Sequence, residues 1–461
     1  LLTELGGRTA ELTLRLARFP DAVPTRSGFV WALEEAGSVM EAALDLHQGE
    51  RRALVAGCLA AYREVEPAFR SLPVQLVHGD LNDHNVLVSE DGHVVGFLDL
   101  GDAHPAPAVF DLAVAVAYAL LGQADPVVAA AHMVAGYHAV RPLSEAEIAL
   151  ILPLARARLG ASVSIAAARR IGTAELDPYL LVSEAPAWAV LEGLARVHPR
   201  LAAGLLRSAC GLPACPRGPA LAAWLAGVRP APVMEIPPAD AAVLDLSVGS
   251  SLLDGHDTDD TAAFARRVWD AMAEAGVRVG IGRYREPRGF YLTDAFAGRP
   301  SEMPERRTVH MGVDLFDLPG AAVRAPLDGV VLSVHDNAAR LDYGPTVILE
   351  HQAPDGPFWT LYGHLERASL AGLAEGARVA AGDVVARVGP PPENGDWPPH
   401  LHFQILADLL GNRHDFPGVA APREAEAWAS FCPDHHVLLR LQLERTWLPA
   451  EHLADRPARL L

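Results

Sequence analysis

The chain has 461 residues, half of them hydrophobic and 21% charged. That length and balance call for two or three folded domains rather than a single core or a disordered chain. Its 38 basic and 57 acidic side chains leave a formal charge of −19, which argues against a nucleic-acid binder and, less strongly, against docking on an anionic membrane or cell wall.

No run of 18 or more uncharged apolar residues is present in the sequence, so no transmembrane helix is expected. Every basic side chain is arginine; lysine is absent. The chain opens Leu1-Leu2-Thr3 and is read as a piece of a longer protein. Cys210 and Cys215 lie close together, but no second Cys/His pair completes a structural zinc site, so they and Cys58 and Cys432 are read as reduced thiols.

Residues 1 to about 230 are rich in Ala, Leu and Arg. Apolar spacing predicts helices over 110–121, 127–140, 145–159 and 185–196. Short strands are expected at 74–77, 85–88 and 94–98, with Asp91-Gly92 turning between the last two. The proline-rich stretch 229–238 reads as a linker, followed by a helix over 260–275. Strand-like runs at 330–334, 346–351, 358–364 and 400–406 make 301 to about 410 mostly β. The tail, 428–461, is left unassigned.

Leu76-Val-His-Gly-Asp-Leu-Asn-Asp-His-Asn-Val-Leu-Val88 joins two apolar runs through a polar loop, and Asp99 follows in Val95-Gly-Phe-Leu-Asp-Leu-Gly-Asp102. Phosphoryl transfer needs one carboxylate to orient and deprotonate the attacking hydroxyl. It also needs an amide and a second carboxylate to hold magnesium on the nucleotide phosphates. Asp80, Asn85 and Asp99 supply these groups in the usual order and spacing.

This string resembles the aminoglycoside/choline-kinase-like phosphotransferases, in particular their hydroxylysine-kinase branch. The resemblance implies a protein-kinase-like C-lobe, with Asp80 as catalytic base, Asn85 and Asp99 as ligands of magnesium on ATP, and Asp102 in support. It further implies that His78 braces the loop, that Asp111 is structural, and that the substrate is an amino alcohol. In that family a strand lysine holds the nucleotide phosphates; with no lysine, and only 77 helical-looking residues before His78, phosphotransfer by this chain alone is not expected.

A second constellation lies in the β-rich part: His310-Met-Gly-Val-Asp314, Leu361-Tyr-Gly-His-Leu365 and His400-Leu-His402-Phe403. Side chains alternate along a strand, so His400 and His402 are expected to share a face, as are His310 and Asp314 with the small Gly312 between them. Two His and one Asp make a catalytic zinc site with the fourth position open to water, and the remaining histidines serve proton transfer.

These residues resemble the lysostaphin-like zinc peptidases. The resemblance implies His310, Asp314 and His402 as zinc ligands and His364 and His400 as catalytic histidines. Arg283 and the 288–291 stretch are expected to line the groove for a peptide or amide substrate. Before His400 the family's Ser-Thr-Gly-Pro run is replaced by Gly395-Asp-Trp-Pro-Pro399.

The expected architecture is multidomain α+β. A mainly helical kinase-like C-lobe spans 1–230, a linker and helix 231–279, a mainly antiparallel β peptidase-like domain 280–415, and a C-terminal extension 416–461. Together the parts resemble large bacterial fusion proteins that continue into a class III aminotransferase, which implies a cytoplasmic setting in amino-alcohol metabolism. Three functions follow as expectations: zinc-dependent hydrolysis, ATP-dependent phosphorylation of an amino alcohol by the longer parent, or a non-catalytic scaffold for a fused aminotransferase.

Overall fold

The computed structural model describes residues 1–19, 28–171, 183–235, 241–250, 252–253, 260–300 and 305–441. Two units emerge, one holding Leu1–Ala214 and the other Cys215–Arg299 and the chain beyond Pro304. The sequence placed the first boundary later, near residue 230. Arg217 explains where residues 215–227 belong: its guanidinium binds Asp355 and the Pro357 carbonyl of the second unit. Part of the expected linker (236–238) and most of the unassigned tail (442–461) lie outside the described residues.

The first unit is helical. It begins with α1 (Leu2–Leu16), α2 (Ala36–Ala43) and α3 (Gly49–Arg70). Two small antiparallel pairs follow: β1 (Val74–Val77) with β4 (His104–Pro107), and β2 (Val86–Val88) with β3 (Val94–Phe97). Next come α4 (Val109–Ala119), α5 (Pro126–Val140) and α6 (Glu145–Arg169), and then helices Glu184–Ala195 and Pro199–Ala209.

Local chemistry sets the helix starts. Asp125 accepts from the amides of Val127 and Val128, and Pro126 needs no partner for a missing N–H. Ser144 and Glu147 form a reciprocal capping box at the start of α6. This helix runs ten residues past its expected end, through Gly160, whose lack of a side chain leaves room for Met40 packed against it. Among the described residues only α6 is long and apolar enough to cross a membrane; 78% of its most apolar stretch is buried inside the protein.

The second unit is built on an eight-stranded sheet in the order β13-β10-β11-β12-β15-β8-β6-β5. The strands are β5 (Ala241–Val243), β6 (Val279–Gly282), β8 (Val313–Phe316), β10 (Gly329–Asn337), β11 (Gly344–Ala353), β12 (Gly356–Gly363), β13 (Arg378–Val379) and β15 (His400–Leu406). All neighbours are antiparallel except β5 and β6. A parallel pair needs a crossover, supplied by helix Thr261–Glu274. Two small pairs flank the sheet, β7 (Val309–His310) with β16 (Val419–Ala420) and β9 (Ala322–Arg324) with β14 (Val384–Arg387). The protein is thus a multidomain α+β chain, helical first and β-rich second.

Candidate active sites

In the β-rich unit, β7 ends on His310, β8 carries Asp314, and β15 carries His402 directly opposite Asp314. His310 and Asp314 do not share one strand, as the i, i+4 spacing predicted. The chain breaks at Met311-Gly312, so β7 pairs with β16 while β8 pairs with β15 and β6. Gly312 is required at this bend, since a Cβ there would lie 2.4 Å from Cε1 of His402.

Nε2 of His310, Nδ1 of His402 and Oδ1 of Asp314 form a nearly equilateral triangle with sides of 3.1, 3.1 and 3.2 Å. All three side chains are buried. A tetrahedral zinc ion with ligands at ~2.0–2.1 Å spaces them about 3.3–3.4 Å apart, so the donor set fits one such cation. No other three His, Cys, Asp or Glu gather so closely among the described residues.

The neighbours fix which atoms face inward. Nδ1 of His310 donates to the Arg283 carbonyl at 3.0 Å, which leaves Nε2 bare. Nε2 of His402 donates to Oε1 of Gln404 at 3.1 Å, leaving Nδ1 bare. The Gln404 amide is itself oriented by Nε2 donating to the Pro417 carbonyl and to Sγ of Cys432. Such outer bonds set imidazole tautomer and direction. Burial first, then the Arg288 charge, pushes His310 down to about 3, so its ring is neutral.

Asp314 has a second anchor. Its Oδ2 accepts from Nη1 of Arg288 at 2.7 Å, and Arg288 also binds Glu286 and the Tyr291 hydroxyl. Glu286 in turn accepts from Nε and Nη2 of Arg283, and the same Nη2 donates to Asp245 at 2.5 Å. Burial alone would raise Asp314; the His310 imidazole hydrogen-bonded to it and the Arg288 guanidinium hold it well below the usual carboxylate range. Gly282 makes room for this arrangement, because a Cβ there would sit 2.6 Å from Nη2 of Arg288.

His364 and His400 stand beside the triangle with ring centroids 4.3 Å apart. Each donates its Nδ1–H to a carbonyl, that of Asn394 at 2.8 Å and of Pro398 at 2.6 Å, so Nε2 is the bare nitrogen in both. Burial lowers both, His364 well below the ordinary value. His364 follows the last residue of β12 with a left-handed φ of +64°, a backbone state uncommon outside glycine and found where a side chain must be aimed. The cleft over these groups is also lined by Arg288, Phe290 and Tyr291, as expected; Arg283 is not at its wall.

In the helical unit, the loop after β1 holds Asp80. Its carboxylate accepts from Asn82 at 2.8 Å and from Nδ2 of Asn85 at 3.2 Å, and Asn85 also binds the Asp80 carbonyl. Buried Asp111 accepts from the amides of His78 and Gly79, and Nε2 of His78 donates to the Leu98 carbonyl. Asp99 sits exposed at the end of β3 with φ +60°, its Oδ1 capping the Gly101 amide; the Leu98 amide is tied to the Asn85 carbonyl. Asp102 shares a cavity with Asp80.

Sequence reading missed Arg158. It is buried on α6, binds Oδ1 of Asp80 at 2.6 Å, donates to Tyr118 and to the Trp31 carbonyl, and stacks its guanidinium on both rings. Burial raises the Asp80 carboxyl, and Arg158 opposes that rise. It also missed Gln404, which strand alternation from His400 and His402 could have flagged, and the Arg288–Asp314 bond, which has no local signature.

Comparison with known proteins gives the two regions separate relatives. Residues 1–146 match the phosphotransferase enzyme family, and residues 308–414 match peptidase family M23. Hydroxylysine kinase of Mus musculus is 28% identical over 205 residues, 42% of this chain and 54% of the relative; that of Bos taurus is 28% identical over 204 residues with the same coverage. The chain thus spans about half the length of the curated relatives it matches. Among solved structures, a zinc-containing peptidase from Vibrio cholerae is 28% identical over 24% of this chain and 32% of that chain, with a TM-score of 0.19. An aminoglycoside phosphotransferase from Alicyclobacillus acidocaldarius is 18% identical over 46% of this chain and 67% of that chain, with a TM-score of 0.33. One chain therefore joins a phosphotransferase-family domain to an M23 peptidase domain.

Proposed function

We propose that the second unit is a zinc-dependent hydrolase of peptide or amide bonds. The reading rests on the triangle of bare donors at His310, Asp314 and His402, whose sides of 3.1–3.2 Å suit one small cation. Zinc held by these groups supplies a Lewis acid for the scissile carbonyl and a water whose pKa falls to about 7. The bare Nε2 atoms of His364 and His400 take a proton from the attacking water and return it to the leaving amine. Arg288 keeps Asp314 ionised and oriented throughout.

Metal analysis of protein purified without added zinc, paired with a panel of peptide amides, tests this. About one zinc per chain is expected, lost in His402→Ala. His364→Ala and His400→Ala should keep the metal and lose ~10²–10⁴ in rate. Full zinc in His402→Ala would overturn the ligand set. Metal without any turnover would favour the scaffold role.

A second reading concerns the first unit. Asp80 held by Asn82 and Asn85, together with relatives named hydroxylysine kinase, supports phosphorylation of an amino alcohol by the protein to which this unit belongs. Asp80 would accept the hydroxyl proton while Asn85 and Asp99 hold magnesium on ATP. The phosphate-holding lysine has no counterpart in these 461 residues.

A further inference from the structure

We propose that the hydrolase site grips its substrate by an aromatic or branched apolar side chain next to the scissile bond, seated against a wall of rings beside His364. The proposal rests on the hydrolase reading and adds the substrate class. The wall is continuous. Phe264, on the crossover helix, packs on Phe290 at 5.3 Å, and Phe290 lies 6.2 Å from Trp397. Tyr291 bridges Phe296 at 4.6 Å and Trp397 at 6.2 Å, and Trp397 reaches the His364 ring at 6.3 Å. These rings border the same cleft as His310, Asp314 and His402.

Each ring of the wall is less than a tenth exposed and packed in one apolar cluster, so what it presents to the cleft is a narrow apolar edge. Trp397 is also held rigidly: buried Asn394 accepts from its amide at 3.3 Å and donates to its carbonyl at 3.0 Å. A rigid aromatic edge against a reacting centre favours an apolar group there and gives a glycine nothing to bind. Phe264, Phe290, Tyr291 and Phe296 all precede residue 308, where the M23 match begins. Four of the five rings are therefore supplied by this chain's own preceding segment, and Trp397 by the matched region. If the rings served only to pack the crossover helix, side-chain size would not affect binding.

Hydroxamates with one metal-binding head and varied tails separate these cases by calorimetry on the zinc-loaded full chain. 3-Phenylpropionohydroxamate and 4-methylpentanohydroxamate should bind about 10- to 200-fold more tightly than acetohydroxamate, the discrimination an apolar pocket gives. Trp397→Ala should shrink that ratio. So should Ala339→Trp, a substitution on the exposed rim of the cleft that narrows it without touching the core. Equal affinities across the series overturn the proposal and leave the hydrolase reading standing. Discrimination without hydrolysis of any amide sinks the hydrolase reading and the substrate class with it, leaving only an apolar wall beside the metal site. Failure of every hydroxamate to bind sinks both.

Discussion

Gln404 offers a sharp test of how the metal site is tuned, because its loss should weaken the metal-bound protein and spare the metal-free one. With zinc bound, Nδ1 of His402 must be bare, so its proton sits on Nε2 and needs the Gln404 oxygen 3.1 Å away. Without zinc the ring has a choice: it can carry the proton on Nδ1 and donate to Asp314, also 3.1 Å away. Gln404→Met keeps the volume and removes the acceptor. The metal-free protein can switch tautomer and avoid a buried orphan N–H, whereas the loaded protein cannot. A buried donor without a partner costs about 1–3 kcal/mol. At 1.4 kcal/mol per decade, zinc affinity should fall roughly 5- to 150-fold, in line with the ~10- to 100-fold typical of such outer bonds. Gln404→Glu keeps the acceptor for His402 but, like Gln404→Met, loses the donor to the Pro417 carbonyl, so it should retain more affinity than Gln404→Met. Competition against a chromophoric chelator reads both constants, and urea unfolding of the metal-free proteins reads the other leg. Affinity within twofold of wild type in Gln404→Met, or equal losses in both variants, would refute the tautomer argument.

Arg158→Met should destabilise the first unit by about 3 kcal/mol, the low end for a broken buried pair because the Asp80 side chain keeps 20% of its exposure. Adding Asp80→Asn should recover part of the loss; strictly additive urea midpoints would show that the pair is uncoupled. His104, buried against Glu34, gives a pH signature. Burial alone would lower its pKa, but hydrogen bonds to Glu34 and to the Asp102 carbonyl overcome this and raise it. Its contribution to stability is therefore complete below the unfolded value of about 6.5 and is lost as pH rises through the higher folded value. Thermal melts should show that slope flattened in Glu34→Gln; an unchanged slope would remove His104 as its source.

The site was largely legible because its groups announce themselves locally. His400 and His402 alternate on one strand, and the loop from His78 to Asn85 is a contiguous string. Ser144 with Glu147 likewise marks the start of α6. What was hidden depends on packing over long separations. Arg158 lies 78 residues from Asp80 on a helix that also carries Arg156 and Arg169, where nothing local distinguishes a buried ion-pair partner from a surface arginine. The bend at Met311-Gly312 was missed because period-2 reasoning assumes an unbroken strand, while partners on two different edges pull β7 and β8 apart. Phe264 lies on the buried face of the helix expected at 260–275, and periodicity does not reveal that a core face also borders a cleft.

The chain of charges from Asp245 through Arg283, Glu286 and Arg288 to Asp314 bears on how this protein should be cut for experiments. Only its last member lies within residues 308–414. A fragment trimmed to those limits would strip Asp314 of its guanidinium, remove β6 from beside β8, and leave that strand's hydrogen-bonding edge open to other chains. Aggregation or weak metal binding in such a fragment would report the cut and not the chemistry of the site. The portable module begins near Cys215, where Ser430 receives the Cys215 amide, and carries its supporting charges with it.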